Sequence, residues 1–66
     1  MKLIREVYDA PNRIDVVETD EGIFMRWEDL DLGVFIWYED TSQSWNADIS
    51  DDLVKELEDE FRREIE

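Results

Sequence analysis

The chain has 66 residues, 20 acidic against seven basic, a formal net charge of −13 at neutral pH, and neither cysteine nor histidine. This composition leaves out a disulfide framework and a Cys/His metal centre, and a field of this sign repels nucleic acid and anionic membrane while attracting basic protein surfaces. A chain this short buries only about 60% of the surface it exposes when unfolded, so the core must come from its aromatic and aliphatic side chains.

Low hydrophobicity with high net charge is the signature of disorder, but 42% of the residues are hydrophobic and they are patterned, which favours a folded domain. No stretch approaches the roughly 20 apolar residues that span a bilayer, and Met1 to Glu6 lacks an apolar signal core. A cytoplasmic protein is expected.

The run from Lys2 to Tyr8 is rich in β-branched and aromatic residues and reads as a strand over about 2–8, its alternation placing Leu3, Arg5 and Val7 opposite Ile4, Glu6 and Tyr8. Asp9, Ala10, Pro11 and Asn12 then supply turn chemistry. A second strand follows over 13–19, with Ile14 and Val16 pointing one way, and Thr19 to Gly22 forms a hairpin connection in which Gly22 can take positive φ. The third strand, 23–28, places Ile23, Met25 and Trp27 on one face. After Asp29 to Gly33, residues 33–39 form the fourth and most strand-like run, apolar on both faces at Val34 to Tyr38. The polar loop of residues 39–44 leads to Trp45, which either begins a short extension or folds back as a lid.

Residues 51–65 carry the clearest helix signal. Ser50 is its N-cap, Asp51 and Asp52 occupy the first turn, Arg62 and Arg63 lie near the end, and Ile49 with Val54 has the spacing of a hydrophobic staple. Leu53, Val54, Leu57, Phe61 and Ile65 fall within an arc of about 120° at 100° per residue, a stripe suited to lying on a sheet. The fold expected is α+β, a four-stranded antiparallel meander (ββββα) in a single domain spanning 1–66, with one C-terminal amphipathic helix on one face. Trp27, Trp37 and Phe61 are assigned to the core, and Trp45 to an exposed anchor.

Charge is unevenly distributed. Residues 1–14 hold three bases and two acids, whereas the remainder holds 18 acids and four bases. On the helix, Asp51 with Lys55, Lys55 with Asp59, Glu58 with Arg62, and Asp59 with Arg63 are i,i+4 pairs of opposite sign and read as self-neutralised. Glu56, Glu60 and Glu64 instead form a row of like charge, about 6 Å apart. Asp20 and Glu21 sit at one sheet end; Glu28, Asp29 and Asp31 mark the other. Alternate residues of a strand are also about 6.6 Å apart. Such spacings approach the step between successive phosphates of a nucleic-acid strand, and Arg or Lys groups that grip phosphate bind carboxylate by the same geometry.

On its length, charge, lack of Cys and His, and the clusters Asp20-Glu21, Glu28 to Asp31 and Glu56 to Glu64, the chain resembles the small acidic inhibitors made by bacteriophages, including DNA-mimic anti-CRISPR proteins. These share no diagnostic motif or common fold, so no residue role carries over by position. The resemblance implies inhibition of a bacterial defence complex, most readily a CRISPR effector, by occupying its DNA-binding surface. The partner-binding residues expected are Asp20, Glu21, Glu28, Asp29, Asp31, Trp45, Glu56, Glu60 and Glu64, with no direct nucleic-acid or membrane contact, and the chain a monomer or homodimer.

Other readings account for the same acids. They can keep a small domain soluble, or mark adaptation to high salt in a chain whose only lysines are Lys2 and Lys55. A small acidic structural or regulatory subunit docking through aromatic residues is the alternative function. No catalytic residue, cofactor or metal is expected. Asp29 to Gly33 places its glycine fifth where a calcium loop needs it sixth, and every common catalytic arrangement lacks a part.

Overall fold

The computed structural model describes residues 1–66 as an antiparallel sheet with one C-terminal helix, an α+β fold. Its elements are β1 (Lys2–Asp9), β2 (Asn12–Thr19), β3 (Gly22–Asp29), β4 (Val34–Asp40), β5 (Trp45–Asn46) and α1 (Asp51–Glu64), with the strands in sequence order across the sheet. The expected four strands are therefore five. The loop after β4 closes through Thr41, whose amide donates to the Ser44 carbonyl (2.9 Å), and this returns Trp45 and Asn46 to pair with Asp40 and Glu39.

Strand register sorts the side chains into rows. On the helix side the rows are Leu3-Val17-Phe24-Glu39, Glu6-Asp15-Arg26-Trp37 and Tyr8-Arg13-Glu28-Phe35. On the other side the two central rows are Arg5-Val16-Met25-Tyr38 and Val7-Ile14-Trp27-Ile36. The expected strict alternation in β1 fails at Ile4. A register shift between Leu3 and Arg5 inserts one residue, so Leu3 shares its face with Glu6 and Tyr8 rather than with Arg5 and Val7.

The core lies between the sheet and α1 and consists of Val17, Phe24, Trp37, Leu57 and Phe61, with Leu3, Phe35, Ile49, Leu53, Val54 and Ile65 packed around it. Trp37 and Phe61 meet edge to face at 5.8 Å between ring centroids. Helix α1 starts where Ser50 Oγ accepts from the Leu53 amide (3.2 Å) and ends with Ile65 as C-cap. Gly33 closes the β3–β4 turn at φ +71°, a left-handed conformation that costs other residues more.

Trp27 departs from the expected core. It follows Ile23 and Met25 onto the face away from the helix, is 42% exposed, and donates its indole N–H to Asn12 Oδ1 (3.1 Å). Arg26 and Asp15, in phase with Phe24 and Val17, are buried in its stead. No helix is long and apolar enough to cross a membrane.

Candidate functional site

The helix lies across the sheet so that its Glu56 and Glu60 face the β2–β3 turn. Asp20 and Glu21 are exposed on that turn, which is held by Thr19: its hydroxyl oxygen accepts from the Glu21 amide (3.0 Å) and donates to the Gly22 carbonyl (3.3 Å). Asp20, Glu21, Glu56 and Glu60 line one recess of about 110 Å³ with Leu53 and Leu57 at its floor. A second, more open recess joins Asp20, Glu21 and Glu60 to Glu18, with Lys2 at its rim. Two acid clusters far apart in the chain thus form one anionic end.

The row Glu56, Glu60, Glu64 is not uniformly unpaired. The α-amino group of Met1 donates to Glu60 Oε1 (3.1 Å) and Glu64 Oε1 (3.2 Å), and hydrogen bonding first to Glu60 and then to Glu64 raises its pKa. Glu56, Asp20 and Glu21 form no ion pair.

The structure separates Glu28, Asp29 and Asp31 from this group, and two of the three have internal tasks. Glu28 accepts from Arg26 Nη1 (2.8 Å). Asp29 Oδ1 accepts the amides of Asp31 (3.0 Å) and Leu32 (3.1 Å), fixing the β3–β4 turn, while Asp31 itself is exposed. Trp45, 41% exposed, borders a recess of the open sheet face with Arg5, Val7, Ile14, Val16 and Met25, away from the acids.

Of the four helix pairs expected from sequence, only Glu58 with Arg62 forms, and Glu58 is no surface acid. Its carboxylate accepts Arg26 Nε (2.7 Å) and Nη2 (3.0 Å), Trp37 Nε1 (3.0 Å) and Arg62 Nε (2.7 Å). Burial pushes its carboxyl up, but the bonds from Arg26, Trp37 and Arg62 outweigh that and hold it below the ordinary range. The Arg26 guanidinium is stacked between Phe35 and Phe61 at 4.7 and 4.8 Å from their centroids, a desolvated cation–π arrangement. Burial pulls its pKa down, and its bonds to Glu58 and Glu28 more than restore it.

Asp15, fully buried, has no such network. Arg13 Nε lies 3.0 Å from Oδ2, yet at a geometry that makes no hydrogen bond, so both carboxylate oxygens are without a hydrogen-bond donor. Burial raises its pKa, and nearby Glu6 adds to the rise, while Arg13 and Arg26 oppose it.

No group of three or more acidic side chains is arranged to hold a metal ion. Comparison with protein-family models, curated proteins and solved structures found no match.

Proposed function

We propose that the protein is an acidic, non-catalytic inhibitor that presents carboxylates in place of DNA phosphates to the basic groove of a nucleic-acid-binding protein, with a bacterial CRISPR effector complex as the favoured target. The convergence of Asp20 and Glu21 with Glu56 and Glu60 around one recess is the observation that carries this reading. The hairpin turn and the capped helix fix the backbone positions of these carboxylates, so side chains but not backbone are ordered when a cationic groove closes on them. Association with such a groove is fast and weakens as salt screens it.

Reversal of charge at Glu56 and Glu60 tests the surface. Binding to the target is expected to weaken several-fold and its salt dependence to flatten; variants that bind and inhibit like the parent place the contact elsewhere.

A specific observation favours a second reading. The open sheet face, with Trp27, Val34, Ile36 and Trp45 each more than two-fifths exposed, suits a small structural or regulatory subunit docking by apolar contact. Salt separates the two, because apolar docking does not weaken as ionic strength rises.

A further inference from the structure

The face of the sheet away from the helix is more apolar than a lone domain calls for. Its two central rows hold Val7, Ile14, Val16, Met25, Trp27, Ile36 and Tyr38, of which Trp27 and Ile36 are exposed and the other five half-buried, with Arg5 the one charge among them, whereas the helix face intersperses its core of Val17, Phe24 and Trp37 with the charged Glu6, Arg13, Asp15, Arg26 and Glu28. An antiparallel sheet with one solvated face normally alternates apolar residues inward with polar residues outward. We propose that this face is the interface of a homodimer, two copies packing sheet against sheet.

The area is sufficient. Four strands about 4.8 Å apart, with all four rows of the face spanning about 20 Å along them, give roughly 400 Å² in plan, about half of it in the two apolar central rows. Allowing for side-chain relief, each copy contributes roughly 600 Å², and the pair buries on the order of 1,200 Å², at the threshold of stable interfaces.

The placing of charge on this face suits a second copy, against the overall repulsion between two chains of charge −13. Lys2 and Arg5 lie on β1 at one margin of the face, and Asp40 lies on β4 towards the other, one residue past the Phe24–Glu39 pair. A two-fold axis parallel to the strands lays β1 of one copy over β4 of the other. Arg5 then meets the Tyr38 ring and Lys2 approaches Asp40, each contact occurring twice, as a self-complementary interface requires. Aligned sandwich packing accommodates this arrangement with about 30° between the sheets. Glu56 and Glu60 stay on the outer helix layer and Asp20 and Glu21 at the strand ends, so the dimer leaves the anionic ends free.

Light scattering coupled to gel filtration, across protein concentration and at low and high salt, reads the mass directly. The expected mass is twice the 8.0 kDa of the chain. The dimer should tighten as salt screens the repulsion between two copies of charge −13, opposite in sign to binding at a cationic groove. The variant I36K places a cation at a half-exposed position facing away from the helix. Because it lowers the repulsion between copies, a dimer at least tenfold weaker reports lost apolar contact, and circular dichroism checks that the variant is folded. Acrylamide quenching of the parent needs no variant: Trp27 and Trp45 should become shielded as concentration rises, with Trp37 buried throughout. A chain monomeric at every concentration and salt overturns the proposal. So do an I36K that dimerises like the parent, quenching independent of concentration, and a monomer holding a different protein on this face. The charge reversals at Glu56 and Glu60 should keep the dimer, so failure of the inhibitor reading and failure of this one are told apart.

Discussion

Glu58 is where the fold is most exposed to a single change. Glu58→Ala removes the carboxylate that accepts two N–H groups of Arg26 and the indole N–H of Trp37, and leaves Arg26, 1% exposed, with Glu28 as its remaining hydrogen-bonded partner. Breaking a buried ion pair in this way costs about 3–5 kcal/mol, and the surviving bond to Glu28 argues for the lower end. The whole domain, at typical stability per residue, is held by about 3–10 kcal/mol, so the variant should lose from about a third to all of its stability. The companion double variant Arg26→Met/Glu58→Leu separates lost packing from stranded charge. Apolar replacements of similar size relieve both desolvation penalties while leaving the buried Trp37 indole N–H without its acceptor, so part of the parent's stability should return. Urea titration at fixed protein concentration, followed by tryptophan fluorescence and far-ultraviolet circular dichroism, measures both variants. A Glu58→Ala chain within about 1 kcal/mol of the parent, or a double variant as unstable as the single, would refute the reasoning.

Three further expectations follow from buried groups and the helix cap. Because the folded state holds the Glu58 carboxyl below its ordinary pKa, its contribution is present above that ordinary value and lost as pH falls through the folded one; the urea midpoint should drop on acidification. Asp15 has the opposite sign. Its raised pKa means the folded state binds the proton more tightly than the unfolded chain, so its contribution falls as pH rises from the ordinary carboxylate range through the folded value. Asp15→Asn should therefore raise the urea midpoint near neutral pH and leave it unchanged in acid; a lower midpoint at neutrality would mean that the Arg13 contact outweighs the desolvation. Ser50→Ala should cost about 1 kcal/mol in the same titration, and Ser50→Asp almost nothing, since either side chain can accept the Leu53 amide.

Much of this architecture is legible in the sequence because local signals agree with the tertiary outcome. The β-branched runs and turn residues mark β1 to β4 to within a residue or two, and Ser50, the acids after it and the apolar stripe mark α1. The two-residue β5 is legible only as one of two options for Trp45, a short extension or a lid: Trp45 and Asn46 pair because the turn at Thr41 to Ser44 brings them back. The β1 bulge is invisible for a related reason, since an inserted residue leaves composition unchanged and alters only parity.

Which face the helix covers is a tertiary choice. Trp27 and Trp37 are equally apolar, yet register places one under the helix and one outside it. A signal for the buried network did exist. Glu58 borders the apolar stripe one position after Leu57, and Arg26 is in phase with Phe24; an acid and a base on facing buried surfaces demand each other. Pairing Glu58 with Arg62 alone stops two partners short, at Arg26 and Trp37. Among the acids, a linear reading could not distinguish Asp20, Glu21 and Glu56, which project unpaired, from Glu28 and Asp29, whose oxygens are committed to Arg26 and to turn amides.

Phosphate mimicry by this chain can be read from competition with DNA. Labelled duplex bound to a purified CRISPR effector complex is titrated with the folded chain, and anisotropy is read at low and at high salt. Displacement of the duplex at low salt is expected, by less chain than at high salt, with the Glu56 and Glu60 charge reversals several-fold less effective. A chain that stays folded in dilute buffer and leaves the duplex bound would contradict phosphate mimicry.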